Sequence, residues 1–360
     1  MPRKLPRIQS GALRALRPPM RAIVLLLLTT AAAQPQFKST VPLVISPITV
    51  NDAAGRPVNG LTANYLALFD NSVPQKIQLQ VVDEPVSLAV LIQVSPNASA
   101  VLDKLSNSAN LLCDLLAAYQ GETALLTFSD TVHLAQDFTP DSTKLRNVLK
   151  YLRPKYDGAV LYDGIADALH LLDKRDPGRR RILLVIAQQR ARGSRTKLDV
   201  LLRDPALQNA TIYWLTYSVF LTPFTSKTKT KWDRMTDEAK KDPLRFQGDH
   251  PFPFPEEEVG LPPDLAPGSL FNIFTSLAKQ TKVDAAALLS RTTGGRTWAF
   301  LKKSGLEEAI HAVADEAHQQ YIVSFSPQPD APGVFHSLRA EVKGRPELSV
   351  RTRTGYWSVQ

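Results

Sequence analysis

The turn VSPNASA, residues 94–100, follows the apolar run SLAVLIQV and is the first place where side chains could do chemistry. In α/β proteins ligands gather at the carboxyl ends of the strands, so a turn leaving a buried strand is where a reactive group would sit. Dinucleotide binding there needs Gly-x-Gly-x-x-Gly, whose glycines let the backbone approach a pyrophosphate. This turn has no glycine. A serine hydrolase needs an elbow of the Gly-x-Ser-x-Gly kind. Ser95 has Pro96 beside it and no glycine neighbour, so it reads as a helix-cap or turn residue. The sequence shows no paired-carboxylate motif of the sort glycoside hydrolysis uses.

Six histidines are scattered along the chain. His311, Asp315 and His318 fall at i, i+4 and i+7, so they share one helix face. That face is either a three-ligand metal cluster or a solvated polar stripe opposite Ile310, Val313 and Ala317, and the amphipathic pattern favours the stripe. His250 lies among prolines and reads as exposed. The single cysteine, Cys113, can form no internal disulfide. It sits in the apolar pattern of NLLCDLLAAY and reads as small core filler.

The elements that must position these groups alternate. SLAVLIQV and RRILLVIA are continuous apolar runs, as expected of strands buried on both faces. TIYWLTYS and RTWAF add further strands. Helical spacing runs through 101–119, TKLRNVLKYL, LYDGIADALHLL, KLDVLLRD, DAAALLSRT and LEEAIHAVADEAHQ, with a stop at Gly294-Gly295. Strands alternating with helices predict a doubly wound, mostly parallel sheet covered on both faces, over residues 85–326 with QYIVSFS as its last strand. ETALLTF and VHLAQDF are joined by a short turn at Ser129-Asp130, so one edge strand should run antiparallel. Residues 36–84 and 327–360 read as all-β, and neither can bury a sheet face alone. They are expected to combine into one small β-sandwich-like domain.

Residues 219–270 interrupt the rhythm with dense proline. This insertion leaves the carboxyl end of TIYWLTYS, and loops of such length are usually functional or disordered. KTKTKWDR is basic with Trp232, and PFPFPEEE is acidic with Phe252 and Phe254. Aromatics spaced by prolines suit a protein contact. The plainer alternative is a loop folded back over the top of the sheet.

The chain has 360 residues, 44% hydrophobic and 21% charged, which is globular composition. Its net charge of +9 suggests nucleic acid, but residues 1–33 carry six of the basic residues and no acidic one, which leaves +3 for the rest. A basic stretch, the apolar run 23–28 and an alanine-rich end make 1–33 a secretory signal peptide, with Met1 or Met20 as the start. Pro18 and Pro19 argue against a buried helix there. No later run reaches about 18 apolar residues, so no membrane anchor is expected in the mature chain.

Several blocks in order resemble the von Willebrand factor A-related exported proteins found in Acidobacteria: DAAGRPVNGLTANYLALFDNSVPQKI, LYDGIADAL, TTGGRTW, EEAIHAVADEAHQQYIVSFSP, FHSLRAEVK and VRTRTGYW. The resemblance implies a von Willebrand factor A-like α/β domain. It also implies a metal-ion-dependent adhesion site made of Asp-x-Ser-x-Ser after the first strand, a Thr from a second loop and an Asp after the fourth strand. Mg²⁺ takes oxygen ligands in an octahedron, and carboxylates supply the charge. Carried onto this chain, those positions fall on Gln93, Ser95, Asn97, Ala159 and Gln188. Two carboxylates have become amides and a hydroxyl a methyl, while Arg190 and Arg192 add positive charge. Asp157 and Asp163 lie near the second loop, but Asp163 suits the first turn of its helix. Mg²⁺ binding is therefore expected to be weak or absent, and no other cofactor is implied.

These readings combine into one expectation: a non-catalytic, metal-independent binding module of the bacterial envelope, periplasmic or extracellular. Its partner is expected to be a protein rather than nucleic acid, met by Arg190, Arg192, Trp232, Phe252 and Phe254. The alternatives are an envelope hydrolase or carbohydrate-active protein, and a scaffold subunit of an envelope complex.

Overall fold

The computed structural model describes residues 43–80, 85–107, 121–176, 178–189, 191–217, 284–300, 303–328 and 330–358. The signal segment, Cys113, Arg190, His250, Trp232, Phe252, Phe254 and the whole insertion lie outside the described residues.

The described chain begins with the strands β1 (Val44–Asn51), β2 (Leu66–Asp70), β3 (Val73–Pro74) and β4 (Gln78–Gln80). Then come β5 (Val86–Gln93), helix α1 (Ser99–Asn107), β6 (Glu122–Phe128), β7 (Val132–Thr139), α2 (Ser142–Tyr151), α3 (Leu161–Asp173) and β8 (Arg180–Ile186). The short helices α4 (Leu198–Leu201) and α5 (Pro205–Gln208) lead to β9 (Ala210–Tyr217). After the insertion follow α6 (Ala285–Thr292), β10 (Thr297–Phe300), α7 (Lys303–Gln319), β11 (Tyr321–Phe325), β12 (Phe335–Val342), β13 (Ser349–Thr352) and β14 (Gly355–Trp357).

The central sheet has six strands in the order β10-β9-β8-β5-β6-β7. Every neighbouring pair is parallel except β6–β7, so the edge hairpin expected from the sequence is present. Successive side chains of a strand point to opposite faces. Ala89, Leu91, Leu183 and Val185 accordingly join the cluster under α3, α4, α5 and α6. Val90, Ile92, Leu184 and Ile186 join the one under α1, α2 and α7. Both faces are thus apolar and covered, which is why these strands read as unbroken hydrophobic runs. At the α6–β10 turn Gly294 takes φ +81°, and a side chain on Gly295 would stand 2.0 Å from the Ile212 carbonyl oxygen. The double glycine lets the chain reverse against β9.

Two four-stranded antiparallel sheets, β13-β1-β11-β4 and β14-β12-β2-β3, share a third apolar cluster containing Ile48, Leu66, Leu68, Val323 and Tyr356. β1 pairs with β13, and β2 with β12. One strand departs from expectation. β11, read as the last strand of the α/β domain, pairs with β1 and β4 instead. Its apolar content fits either sheet, and only the path of the chain after α7 selects one. The β2–β3 hairpin turns through Asn71 at φ 46° and Ser72 at φ 69°. Two consecutive left-handed residues match the right-handed twist of a hairpin, and Asn tolerates that region well.

Candidate functional site

The carboxyl edge of the parallel sheet closes on itself. β5 ends at Gln93, whose side chain is buried together with Ser95 and Gln188. The backbone N–H of Gln188 donates to Gln93 Oε1 at 2.9 Å. The Tyr217 hydroxyl, at the end of β9, donates to the same oxygen at 3.2 Å. Gln93 Nε2 donates to Ser95 Oγ at 2.8 Å. A backbone N–H can only donate, so the amide must turn its oxygen toward Gln188. One side chain thus ties together the exits of β5, β8 and β9. Burial pushes the Tyr217 phenol well above its usual range, so it stays a donor. The indole of Trp214 adds a second tie, donating to the Ala187 carbonyl at 3.2 Å.

The loop before α3 is fastened from both sides. Ala159 and Arg192 exchange backbone hydrogen bonds of 3.3 and 2.8 Å, and Val160 N–H donates to the Ser129 carbonyl at 2.9 Å. A Cβ on Gly158 would stand 2.6 Å from the backbone of Asp130, so only glycine fits. Asp163 lies in the first turn of α3, as its position predicts. Burial alone would raise its carboxyl, but the N–H groups of Thr196 and Arg195, at 2.7 and 3.0 Å, outweigh that and hold it below the usual range. Asp163 therefore pins the loop that carries Arg192.

The five positions carried over from the resemblance do not all meet. Gln93, Ser95 and Gln188 do. Ala159 faces Arg192 through its backbone. Asn97 is exposed on the 3₁₀ turn Pro96–Ala98. Ser95 occupies the N-cap position of that turn, yet its side chain makes no cap bond and accepts from Gln93 instead. Asp157 is exposed.

This donor set does not fit a divalent cation. The Gln93 oxygen already accepts two hydrogen bonds, and Ser95 Oγ is met by an N–H. Gln188 adds a buried Nε2, itself a donor, that has no hydrogen-bond partner. A cation would meet N–H groups where it needs oxygen lone pairs and negative charge.

The other chemical candidates separate as well. His311, Asp315 and His318 are all exposed, while Ile310, Val313 and Ala317 are buried. Among the described residues no three His, Cys, Asp or Glu side chains are grouped to hold a metal. Arg192 is exposed beside the closed edge. Among the described residues no helix is long and apolar enough to cross a membrane.

No protein-family model matches the chain, and no curated protein matches it. Among solved structures, parts of the chain are similar to the vWF domain of the type V pili tip protein Mfa5 from Porphyromonas gingivalis, at 20% identity and a TM-score of 0.28, over 30% of this chain and 38% of that one. A conserved hypothetical protein, BatB, from Bacteroides thetaiotaomicron is similar at 15% identity and a TM-score of 0.31, over 37% of this chain and 66% of that one. An aerotolerance-related membrane protein from Bacteroides fragilis is similar at 11% identity and a TM-score of 0.39, over 64% of this chain and 98% of that one. The chain thus spans less than half of the pilus-tip chain and just under two thirds of the BatB chain. At these values no residue role carries over.

Two sets of polar residues were not visible in the sequence. Tyr217 closes the edge network from the end of a strand that reads as plain core. In the antiparallel sheet, Asp70 Oδ1 stands 2.9 Å from His336 Nδ1 and Asp70 Oδ2 accepts from the Tyr356 hydroxyl at 2.6 Å. A carboxylate accepts, so His336 Nδ1 carries the proton of that bond. His336 Nε2 lies 3.2 Å from Asp330 Oδ2, within ion-pair range but without hydrogen-bond alignment. The imidazole and the Tyr356 ring stack at 4.8 Å. All three side chains are buried, so this cluster is a fastening and offers no nucleophile to a substrate.

Proposed function

We propose that this chain is a non-catalytic, metal-independent protein-binding module of the bacterial envelope. On this reading it is a von Willebrand factor A-like domain mounted on a β-sandwich built from both ends of the chain. The observation that carries it is Gln93. The residue that would supply a carboxylate to a cation instead supplies an amide to two donors and a hydroxyl. A closed, neutral network at the carboxyl edge leaves recognition to area and to side-chain anchors rather than to a bridging ion. The anchors we assign are Arg192 on the described face, together with Arg190, Trp232, Phe252 and Phe254. An anionic partner group would meet the arginines directly.

Calorimetric titration with Mg²⁺ or Mn²⁺ should give no binding isotherm, and chelator should leave the melting temperature unchanged. A saturable site would overturn metal independence. Deleting residues 225–265 should abolish capture of the partner from envelope extract and leave the fold intact by circular dichroism. Equal capture by the deletion variant would move the binding face elsewhere.

A further inference from the structure

A second surface, beside the closed edge, has the chemistry of a peptide-docking site. A cleft of about 380 Å³ opens between the edge strand β7 and the loop after α2. Val94 and Thr127 form part of its floor, and His133, Leu134, Tyr151, Arg153 and Lys155 stand on its walls. Two of the large apolar side chains that this protein leaves in water meet here, Leu134 at 50% and Tyr151 at 67% exposure. A third, Tyr156 at 76%, follows Lys155 directly. Single exposed apolar residues are ordinary on a protein surface, but a group of them around one concavity marks an interaction site.

The charged side chains that line the cleft, Arg153 and Lys155, have one sign. Among the described residues, none that lines it carries a carboxylate. Arg153 Nη1 donates to the carbonyls of Lys150 and Leu152 at 3.1 and 2.7 Å. These neutral acceptors at the end of α2 fix the guanidinium without neutralising it. Lys155 is tied through its backbone N–H to the Val94 carbonyl at 2.6 Å, which sets its exposed side chain at the rim. The nearby Asp130 accepts from Ser129 Oγ at 2.9 Å and Thr131 Oγ1 at 3.4 Å and keeps its charge, but it does not line the cleft. A preorganised guanidinium beside an ammonium and an exposed tyrosine fits carboxylates flanking an apolar side chain.

We infer that this cleft binds an acidic peptide segment of a partner protein, with an aromatic or large aliphatic side chain between Leu134 and Tyr151 and carboxylates on Arg153 and Lys155. The inference is independent of the proposal for the closed edge, since it uses none of Gln93, Ser95, Gln188 or Arg192.

The test is fluorescence anisotropy with a labelled synthetic decapeptide of glutamates around one central phenylalanine, added to the full chain. Saturable binding is expected, weakening at least about tenfold in Lys155→Glu combined with Arg153→Gln. It should weaken at least about fivefold in Tyr151→Ser. It should also weaken as NaCl rises from about 50 to about 300 mM. Arg153 bonds its own helix, so Lys155→Glu alone and Leu134→Ser are measured beside it, with melting temperature as the fold control. No saturable binding overturns the inference. So does equal binding of a peptide with lysine in place of every glutamate, or binding indifferent to Lys155→Glu. A further result that overturns it is intramolecular occupancy. In that case the decapeptide binds only after deletion of 225–265, and a synthetic Pro251–Glu258 peptide competes with it.

Discussion

At the carboxyl edge of the parallel sheet the buried polar groups are two amides, a hydroxyl and a phenol. In the antiparallel sheet they are a carboxylate, an imidazole and a phenol. Both clusters join strands far apart in sequence, and both keep a tyrosine protonated by burying it. In the second, the Asp70 carboxylate beside Tyr356 adds to the effect of burial. They differ in what happens when one member is removed. An amide network loses hydrogen bonds between neutral groups, whereas the Asp70 cluster loses charge-assisted ones, and low dielectric makes that loss larger. The two clusters thus tie strand ends together by different means, one through a charged acceptor and the other through neutral groups.

The largest expected effect follows from that asymmetry. Asp70→Ala removes the acceptor of two charge-assisted hydrogen bonds and strands the Tyr356 hydroxyl and His336 Nδ1, and should cost about 3–5 kcal/mol in urea denaturation. Gln93→Leu, close in shape, strands the Gln188 N–H and the Tyr217 hydroxyl, and should cost about 2–3 kcal/mol. If Gln93→Leu proves the costlier of the two, the ranking of charged above neutral networks fails for this protein.

Alkaline pH should probe both clusters at once. The phenols of Tyr217 and Tyr356 are raised in the folded state, the first by burial, the second by burial and then by Asp70. A raised folded value contributes stability that is whole below the ordinary phenol value of about 10 and is lost as pH climbs beyond it. Tyrosinate absorbance should therefore show a late component that rises together with unfolding. It should shrink in Tyr217→Phe and again in Tyr356→Phe. Early, complete titration of all tyrosines in the folded chain would show that neither phenol is held as described.

Smaller still, Tyr217→Phe removes one of the two donors to Gln93 while Gln188 keeps the other, for about 1 kcal/mol. A much larger loss would mean that the phenol, rather than the amide, organises the edge. Last, His311→Ala and His318→Ala should change stability by no more than about 0.5 kcal/mol, because both lie on the exposed face of α7. Zinc should not raise the melting temperature of the parent chain relative to the double variant.

Much of the fold was legible because periodicity is a local property. The unbroken apolar runs of β5 and β8 identified strands covered on both faces, and the spacing of LYDGIADALHLL set the buried face of α3. A three-residue turn, Ser129 to Thr131, made β7 antiparallel. Gly294-Gly295 marked a reversal that only glycine could make. The types of residue at the edge were equally plain: Gln93, Ser95 and Gln188 are neutral wherever they sit. Tertiary structure decided the rest. Nothing in YIVSF tells which sheet will take it, because a strand apolar on both sides satisfies either, and the choice falls to β1 and β4 through pairing across the chain. Nothing local joins Tyr217 to Gln93, 124 positions away, or Asp70 to His336, 266 away. Those bonds exist because strand order brings the strand ends side by side, and a buried polar group takes whatever partner the fold delivers within reach.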